Sequence, residues 1–288
     1  MKRPLEIKAE EASMRTIVSL TSAFESLSSM QIAKTKNKVL ISNQFFDEVW
    51  NIYKQIRMDV MFNFGRSVEE KPIDKELMIL ITAPGGLSGD IDQRLIKKFR
   101  EYYDPDKNDI LVIGHHGAVQ LGQVHIKYDM YFDLPKKDYI NVDPLMDIIR
   151  KYSKSRIFYQ NYISLSQQEI KSVDLSEVVS SRGRVADLDT VGDDLITERN
   201  YIFEPNAYAV AAYLETSILR LTLAQFIYDS RLAQVASRFR AMTAAKERSI
   251  ETASDLHVQY SRAKRALVDV RLKESLAGLK KIRAGGDK

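Results

Sequence analysis

The sequence of 288 residues contains no cysteine and only one tryptophan. Without cysteine, a disulfide-stapled fold is excluded, and a reducing compartment is compatible with the composition. Lysine and arginine number 43 against 39 aspartates and glutamates, and 44% of the residues are hydrophobic, which excludes a disordered or collagen-like chain. The composition therefore favours a folded protein with an apolar core.

Glycine and proline are missing from two long stretches. Residues 5–64 and 206–277 contain neither, whereas nine of the 12 glycines lie between positions 65 and 205. Inside a helix, glycine costs about 1 kcal/mol and proline about 3 kcal/mol. At about 1.5 Å per residue, the two stretches could form helices of up to about 90 Å and about 108 Å. We predict a long helix in residues 1–64, a central domain in 65–205 and a second long helix in 206–288, which disfavours a compact two-domain enzyme.

Long apolar runs are absent too. The longest stretch without a charged residue, 110–126, contains three glycines and does not resemble a membrane-spanning helix. The first residues become acidic early and lack the apolar core of a signal peptide. We therefore expect the protein to stay on the side of the membrane where it is made.

The C-terminal stretch has the apolar spacing of a coiled coil. From Leu214, steps of four and three residues meet only three polar side chains in seventeen positions. This spacing is typical of a left-handed coiled-coil seam. The seam positions are Leu214, Ile218, Leu221, Gln225, Tyr228, Leu232, Val235, Phe239, Met242, Lys246, Ser249, Ala253, Leu256, Tyr260, Ala263, Leu267 and Val270.

The N-terminal stretch shows a less regular pattern. Ile17, Leu20, Phe24 and Leu27 keep the seam spacing, and the stripe then drifts before apolar residues return in 41–52. Such a helix needs a partner, and the other long helix is the natural one. Because both helices leave one central domain, we predict an antiparallel pair.

Basic residues are concentrated at the C-terminal end. Residues 230–288 contain fourteen Lys and Arg against six Asp and Glu, a net charge of +8, so the remainder carries −4. Three interpretations are a solvated helix face, a nucleic-acid-binding helix and a shaft in an acidic partner cavity. Because the charges are dispersed among seam positions and form no clustered basic region, we expect no nucleic-acid partner.

The central stretch alternates strands and helices. Strands are predicted at 77–82, 110–114, 124–132, 156–163 and 170–175, helices at 90–103 and 144–152, and a polar loop at 176–200. This alternation is typical of a Rossmann-like α/β domain with a mostly parallel sheet. The predicted fold is thus an antiparallel coiled coil of the terminal helices joined to a central α/β domain.

The glycine-rich turn after the first strand argues against nucleotide binding. Gly85, Gly86 and Gly89 do not fit the dinucleotide or P-loop spacing, and Asp90 and Asp92 occupy the helix start where a phosphate would bind. We expect a structural turn capped by these carboxylates.

Three histidines, His115, His116 and His125, lack cysteine or carboxylate partners at ligand spacing, so we expect a polar loop and no metal site. No catalytic triad or carboxylate pair is evident, and we expect no enzyme activity of the chain alone.

Several segments together resemble the gamma subunit of F-type ATP synthases over nearly the whole chain. Residues 201–206 are similar to its Tyr-x-Tyr/Phe-Glu-Pro-Ser segment, 236–242 to Ala-Ala-Arg-Met-x-Ala-Met and 20–24 to Ile-Thr-x-Ala-Met. Residues 86–92 resemble Gly-Leu-Cys-Gly-Gly-Leu-Asn, and 114–117 resemble a Gly-x-Lys-Gly turn. Each match is short, but their order within a helix–α/β–helix pattern is specific.

The resemblance implies a rotor whose helices fill the bore of a hexamer of alpha and beta subunits. It implies further contacts with epsilon and the membrane c-ring, ATP, ADP and magnesium on partner subunits only, and no cofactor of its own. It also implies a peripheral location on the cytoplasmic face of a bacterial plasma membrane. The residues implied to contact alpha and beta are Phe24, Arg238, Arg240, Met242, Lys264 and Arg265.

The sequence departs from the family pattern at several of these contact segments. The family's Ser-Glu is Ala233-Gln234, and its Asn-x-x-Arg-Gln is residues 261–265 without the amide. These departures put the side-chain contacts with the head in question more than the fold. Two alternatives stay open on the residues alone: a coiled-coil adaptor or scaffold with an α/β head, and a small-molecule-binding α/β protein with helical arms.

Overall fold

The computed structural model describes residues 3–55, 72–133, 140–175, 202, 204 and 206–285. The chain forms two compact units. The helical unit comprises residues 1–27 and 241–288, and the central unit comprises residues 28–240. The predicted loop at 176–200 lies outside the described residues, as do residues 201, 203 and 205 of the 201–206 segment.

Two long helices confirm what the missing glycines and prolines permit. Helix α1 spans Pro4–Gln55, 52 residues, and helix α5 spans Ala207–Gly285, 79 residues. Proline at the first turn of α1 is tolerated because the first amide groups of a helix have no intrahelical acceptor. Each helix contributes to both units.

The central unit contains a five-stranded sheet with strand order β3-β2-β1-β4-β5. The strands span Ile73–Ile81 (β1), Asn108–Ile113 (β2), Met130–Phe132 (β3), Tyr152–Tyr162 (β4) and Gln168–Asp174 (β5). Strands β1 to β4 pair in parallel, and β5 pairs antiparallel to β4. The predicted mostly parallel sheet is confirmed.

Three shorter helices connect the strands: α2 (Ile91–Arg100), α3 (His115–Gln123) and α4 (Asp143–Ile149). Helix α3 replaces the polar loop predicted around the histidines, and only Met130–Phe132 of the strand predicted at 124–132 forms. Two glycines within α3 conceal its helical pattern from a sequence-based reading. Its start requires Gly114, whose φ is +98° and where a Cβ would lie 2.3 Å from the Thr82 carbonyl oxygen.

Apolar side chains fill both faces of the sheet because neighbouring residues of a strand point to opposite sides. On one face, Met78 and Leu80 pack with Leu95 and Phe99 of α2. On the other, a cluster joins the sheet to α4 and both long helices. Its members include Leu77, Ile79, Ile81, Leu145, Ile149, Ile157, Phe46, Trp50, Ile218, Leu219, Leu223 and Ile227. The long helices are therefore part of the core of the central unit.

In the helical unit, the two helices pair antiparallel, as predicted. Glu25 bonds to Thr243 and Lys246, whereas Glu11, earlier on α1, bonds to His257, later on α5. The predicted seam of α5 is buried or half-buried from Met242 to Ala263.

Beyond that range the predicted seam is wrong, because Leu267 and Val270 are 41% and 50% exposed. Glu11 of α1 pairs with His257 of α5, and α1 begins seven residues before Glu11, at Pro4. Because the two helices run antiparallel, α5 has α1 beside it for only about seven residues beyond His257.

The seam of α1 differs from the predicted one. Ile17, Leu20, Phe24 and Leu27 are 38–54% exposed. The buried side of α1 instead includes Ile7, Glu11 and Thr21, at 5%, 7% and 7% exposure. The buried face of α1 is partly polar and is held to α5 by hydrogen bonds. A prediction from apolar spacing therefore identifies the neighbouring, more hydrophobic face instead.

Candidate functional site

The strand order changes direction at the carboxyl ends of β1 and β4. From β1 the chain continues to β2 on one side, whereas β4 lies on the other side. Open α/β sheets bind ligands at such a point because the loops diverge there. In this protein α5 lies against it. Ser237 of α5 donates a 2.6 Å hydrogen bond to the Ser88 carbonyl in the loop after β1.

Asp92, in the first turn of α2, is a charged residue that is fully buried beside this point of the sheet. Its carboxylate accepts hydrogen bonds from the Ala83 amide at 3.2 Å and from Gln160 Nε2 at 2.8 Å. The His116 Nδ1 lies 2.7 Å from the same carboxylate. A buried carboxylate needs such partners, since burial of an unpaired charge costs several kcal/mol.

Gln160 links the sheet to α5. It lies on β4 and is fully buried. While its Nε2 donates to Asp92, its Oε1 accepts hydrogen bonds from the Ser230 hydroxyl and, at 3.2 Å, from Gln234 Nε2. Gln234 Nε2 also donates to Ser230 Oγ at 3.1 Å. Asp92, Gln160, Ser230 and Gln234 form the network that we call the buried polar clamp.

The glycine-rich turn supplies a second set of contacts to α5. Arg238 donates to Ser88 Oγ at 3.2 Å and to the Gly86 carbonyl at 3.4 Å. Burial lowers the pKa of the Arg238 guanidinium, although Asp92 acts in the opposite direction. Ser88 is buried, at 1% exposure. Polar atoms of Gly86 and Ser88 in this turn are therefore bonded to the helix of their own chain.

Neither Asp90 nor Asp92 caps the start of α2 with its side chain. Asp90 occupies the N-cap position of α2, but its side chain makes no capping hydrogen bond. Asp92 is directed to Ala83, Gln160 and His116. The capping part of the prediction is therefore wrong, because Asp92 is turned inward by the clamp.

His116 is the titratable partner of Asp92. The hydrogen bond that His116 donates to the Asp92 carboxylate raises the pKa of the His116 imidazole, whereas desolvation and the nearby Arg238 lower it. His125 adopts a positive φ of 56° in the turn after α3. Within the described ranges, no group of three or more His, Asp or Glu side chains could hold a metal ion.

The residues implied to contact other subunits lie in different surroundings. Phe24 is 38% exposed, and Lys264 and Arg265 are exposed on α5. Met242, at 7% exposure, lies in the seam. Arg240, also exposed, donates to the Ser166 carbonyl at 2.7 Å. Arg238 and Arg240 thus have partners in their own chain, and the contacts of all six residues with other subunits stay predictions.

Sequence reasoning missed the clamp. One available signal was Gln160, an uncharged polar residue directly after the apolar and aromatic run of residues 157–159. A second was the run of small and polar residues at the corresponding part of α5, at 230, 233, 234, 236 and 237. Their partners could not be identified, since the contacts that join α2, β4 and α5 span 68 to 149 positions of sequence.

Known proteins resemble this chain over nearly its full length. The sequence matches the ATP synthase family over residues 5–280. The ATP synthase gamma chain of Neisseria meningitidis serogroup A is 22% identical, covering 95% of this chain and 97% of that one. The gamma chain of Clostridium novyi is 21% identical, with 95% and 96% covered.

Solved structures share the fold. A chain of the Euglena gracilis mitochondrial ATP synthase, in the structure of its OSCP, F1 and c-ring, superposes with a TM-score of 0.57 at 12% identity, covering 96% of this chain and 97% of that one. A chain from the central stalk and c-ring of the Tetrahymena thermophila enzyme gives 0.51 at 13% identity, with 78% and 99% covered. In the described part of the chain, no helix is apolar enough over a sufficient length to cross a bilayer. The chain belongs to the ATP synthase family, where its similarity over nearly the whole length is to gamma chains.

Proposed function

We propose that this chain is the rotor of the central stalk of an F-type ATP synthase. In this role it couples proton-driven rotation of the c-ring to ATP synthesis or hydrolysis on the beta subunits. The observation that carries the proposal is the antiparallel pair of unbroken helices in a chain related to gamma chains over nearly its whole length. The chain itself contributes no catalytic residue, and nucleotide and magnesium bind to its partners.

Mechanical stiffness is the property that this function demands. A proton crossing 100 mV releases only about 2.3 kcal/mol, so the energy of several protons must be accumulated and delivered together. A rotor that twisted or bent freely would not deliver this energy to the catalytic subunits. Glycine or proline would create soft points in such a shaft, and 206–277 contains neither.

We propose that the exposed surface of the helical unit contacts the alpha and beta subunits. Phe24 offers an apolar side chain beside the exposed Ile17, Leu20 and Leu27. Lys264 and Arg265 offer two adjacent positive charges where α5 leaves its pairing with α1. We also propose contacts at Met242 and, in the central unit, at Arg238 and Arg240, of which Arg240 is the most accessible.

The remaining partners are proposed on the same basis. We infer that epsilon and the c-ring bind the central unit, so that the chain is attached to the membrane through the c-ring. The bacterial relatives favour the cytoplasmic face of a bacterial plasma membrane. The coiled-coil adaptor is not favoured, since the relatives named above are ATP synthase chains.

The test is reconstitution of the whole complex in vesicles with the double variant Lys264→Ala and Arg265→Ala. We expect ATP-driven proton pumping to fall about two- to fivefold, since each exposed charge contact contributes below about 1 kcal/mol. The matched control, Lys264→Arg with Arg265→Lys, keeps both exposed positive charges and should leave pumping unchanged. Unchanged pumping in the first variant would remove these two residues from the contact set. A wild-type chain that forms a lone homodimer and never joins an ATPase hexamer would refute the rotor function.

A further inference from the structure

We propose that Gln160 is a positioning residue that fixes the rotational setting of α5 on the sheet, so that torque passes through the buried polar clamp. The inference rests on the rotor function proposed above and adds a place at which force enters the C-terminal helix. It concerns contacts within the central unit only.

The first support is the geometry of the Gln160 amide. Both of its ends are used: Nε2 donates to Asp92 Oδ1, and Oε1 accepts from Ser230 and Gln234 of α5. An amide held at both ends cannot rotate without breaking a bond at one of them. Asp92 is in turn held by the Ala83 backbone amide and by His116. A continuous chain of hydrogen bonds therefore connects the helix to the backbone of the loop after β1.

The second support is burial. Asp92, Gln160 and Ser230 have no exposed surface, and Gln234 retains 3%. Water cannot replace a bond that is lost there, so each broken bond leaves an unsatisfied polar group. The surrounding apolar contacts are not directional and would tolerate small rotations of the helix. The polar contacts have restricted angles and would not.

The third support is a second attachment point on the same face of α5. Ser237 donates to the Ser88 carbonyl at 2.6 Å and is seven residues, about two helical turns, beyond Ser230. Residues seven apart lie nearly above one another on a helix. A rotation of α5 about its axis by one residue, about 100°, would break the contacts of Ser230 and Ser237 together. Two aligned attachments thus resist twisting, whereas one would act as a pivot.

The experiment uses the complete complex in vesicles and measures both ATP hydrolysis and protons pumped per ATP. In Gln160→Leu, which removes the amide at similar volume, we expect hydrolysis to continue and pumping per ATP to fall about twofold or more. The control is Gln225→Leu, because Gln225 of α5 bonds to Asn43 of α1 at 2.8 Å and does not join the sheet. We expect normal pumping per ATP in this control.

A compensating pair separates positioning from general damage. Gln160→Glu alone places a second carboxylate beside Asp92 and should impair pumping. Adding Asp92→Asn restores a donor and an acceptor in exchanged positions, and we expect pumping per ATP to recover. If Gln160→Leu does not assemble, this comparison decides alone: equal pumping in the single and double variants would overturn the proposal.

The outcomes also distinguish this inference from the rotor function. Normal pumping per ATP in an assembled Gln160→Leu complex would overturn the clamp and leave the rotor intact. A wild-type chain that does not support pumping would refute the rotor itself.

Discussion

Replacement of Gly117 by alanine should destabilise the central unit strongly. Gly117 lies in α3, and a Cβ built there would be 2.4 Å from Thr82 Oγ1 and 2.5 Å from Thr82 Cγ2. Thr82 cannot easily move, because its hydroxyl donates to the Ile113 carbonyl at 2.8 Å and accepts from the Gly117 amide at 3.0 Å. Its exposure is only 1%.

The expected cost follows from these contacts. Overpacking of a filled core costs about 1–3 kcal/mol, and each lost hydrogen bond adds about 0.5–1.5 kcal/mol. Alanine recovers about 1 kcal/mol through its higher helix propensity. We therefore expect the free energy of unfolding to fall by about 2–4 kcal/mol. For a unit of this size, the melting temperature should fall by about 5–15 °C.

The assay is urea unfolding of the full chain, followed by tryptophan fluorescence. Trp50 is the only tryptophan and is 6% exposed in the core of the central unit, stacked on Phe46 at 6.1 Å. Its emission therefore reports unfolding of this unit without labelling. With an m-value of about 2–3 kcal/mol/M, we expect the midpoint to shift by about 1 M.

The matched control is Gly122→Ala, five positions further along the same helix. Apart from the adjoining residues and the backbone of α3 itself, nothing lies within 4 Å of a Cβ at Gly122, so the substitution should gain about 0.5–1 kcal/mol from reduced backbone freedom. The two variants should therefore shift the midpoint in opposite directions. A Gly117→Ala protein as stable as the Gly122→Ala protein would refute the packing described at Thr82.

Three further predictions concern ionisable and hydroxyl groups. Because Asp92 raises the pKa of His116, protonated His116 stabilises the fold fully below about pH 6.5, and this contribution is lost as the pH rises through the raised pKa. The variant His116→Asn should therefore show a smaller difference in urea midpoint between pH 6 and pH 8 than the wild type. An unchanged difference would contradict this role of His116. Glu25→Gln weakens the ion pair with Lys246 and should lower the free energy of unfolding of the helical unit by less than about 1 kcal/mol. The helical circular dichroism should then be lost at a lower urea concentration. An unchanged transition would indicate that the ion pair does not contribute to stability. Burial and a carboxylate partner raise the pKa of Tyr152 to about 12. The variant Tyr152→Phe should lower the free energy of unfolding by about 1 kcal/mol, because it loses the hydrogen bond of the hydroxyl. A urea midpoint equal to that of the wild type would show that this hydrogen bond is not stabilising.

The long helices were predictable because their determinants are local. Absence of glycine and proline over 206–277 and a regular apolar spacing both act within a few turns, and α5 confirms them. The buried strands were predictable for the same reason: runs such as Ile110 to Ile113 have few alternatives to a sheet interior.

The α1 seam was not predictable from apolar spacing. Its buried positions include Glu11 and Thr21, whose partners or packing surfaces belong to a different part of the chain. A sequence pattern ranks faces by hydrophobicity, and here the more apolar face, with Leu20 and Phe24, is turned outward. Such a choice depends on tertiary pairing, which outweighs local preference.

The clamp was beyond sequence reasoning for a related cause. Asp92 was recognised as incompatible with a phosphate, but its actual partners depend on how β4 and α5 meet it in three dimensions. Nothing near Asp92 in sequence specifies Gln160, 68 positions away. Residue type could suggest a polar contact at each position, and only the fold could pair them.

The position of α5 in the core also determines how the central unit can be synthesised and folded. Strands β1 to β5 end at Asp174, yet the face of the sheet that contains Ile79 and Ile157 is covered by Leu219 and Leu223 of α5. On a ribosome, the part of that face that α5 covers stays exposed until α5 has emerged, although α1 and α4 are made earlier. Contacts of such long sequence separation slow folding, because the loop must close before they contribute. During this interval the sheet presents an apolar surface, and the nascent chain is most vulnerable to aggregation.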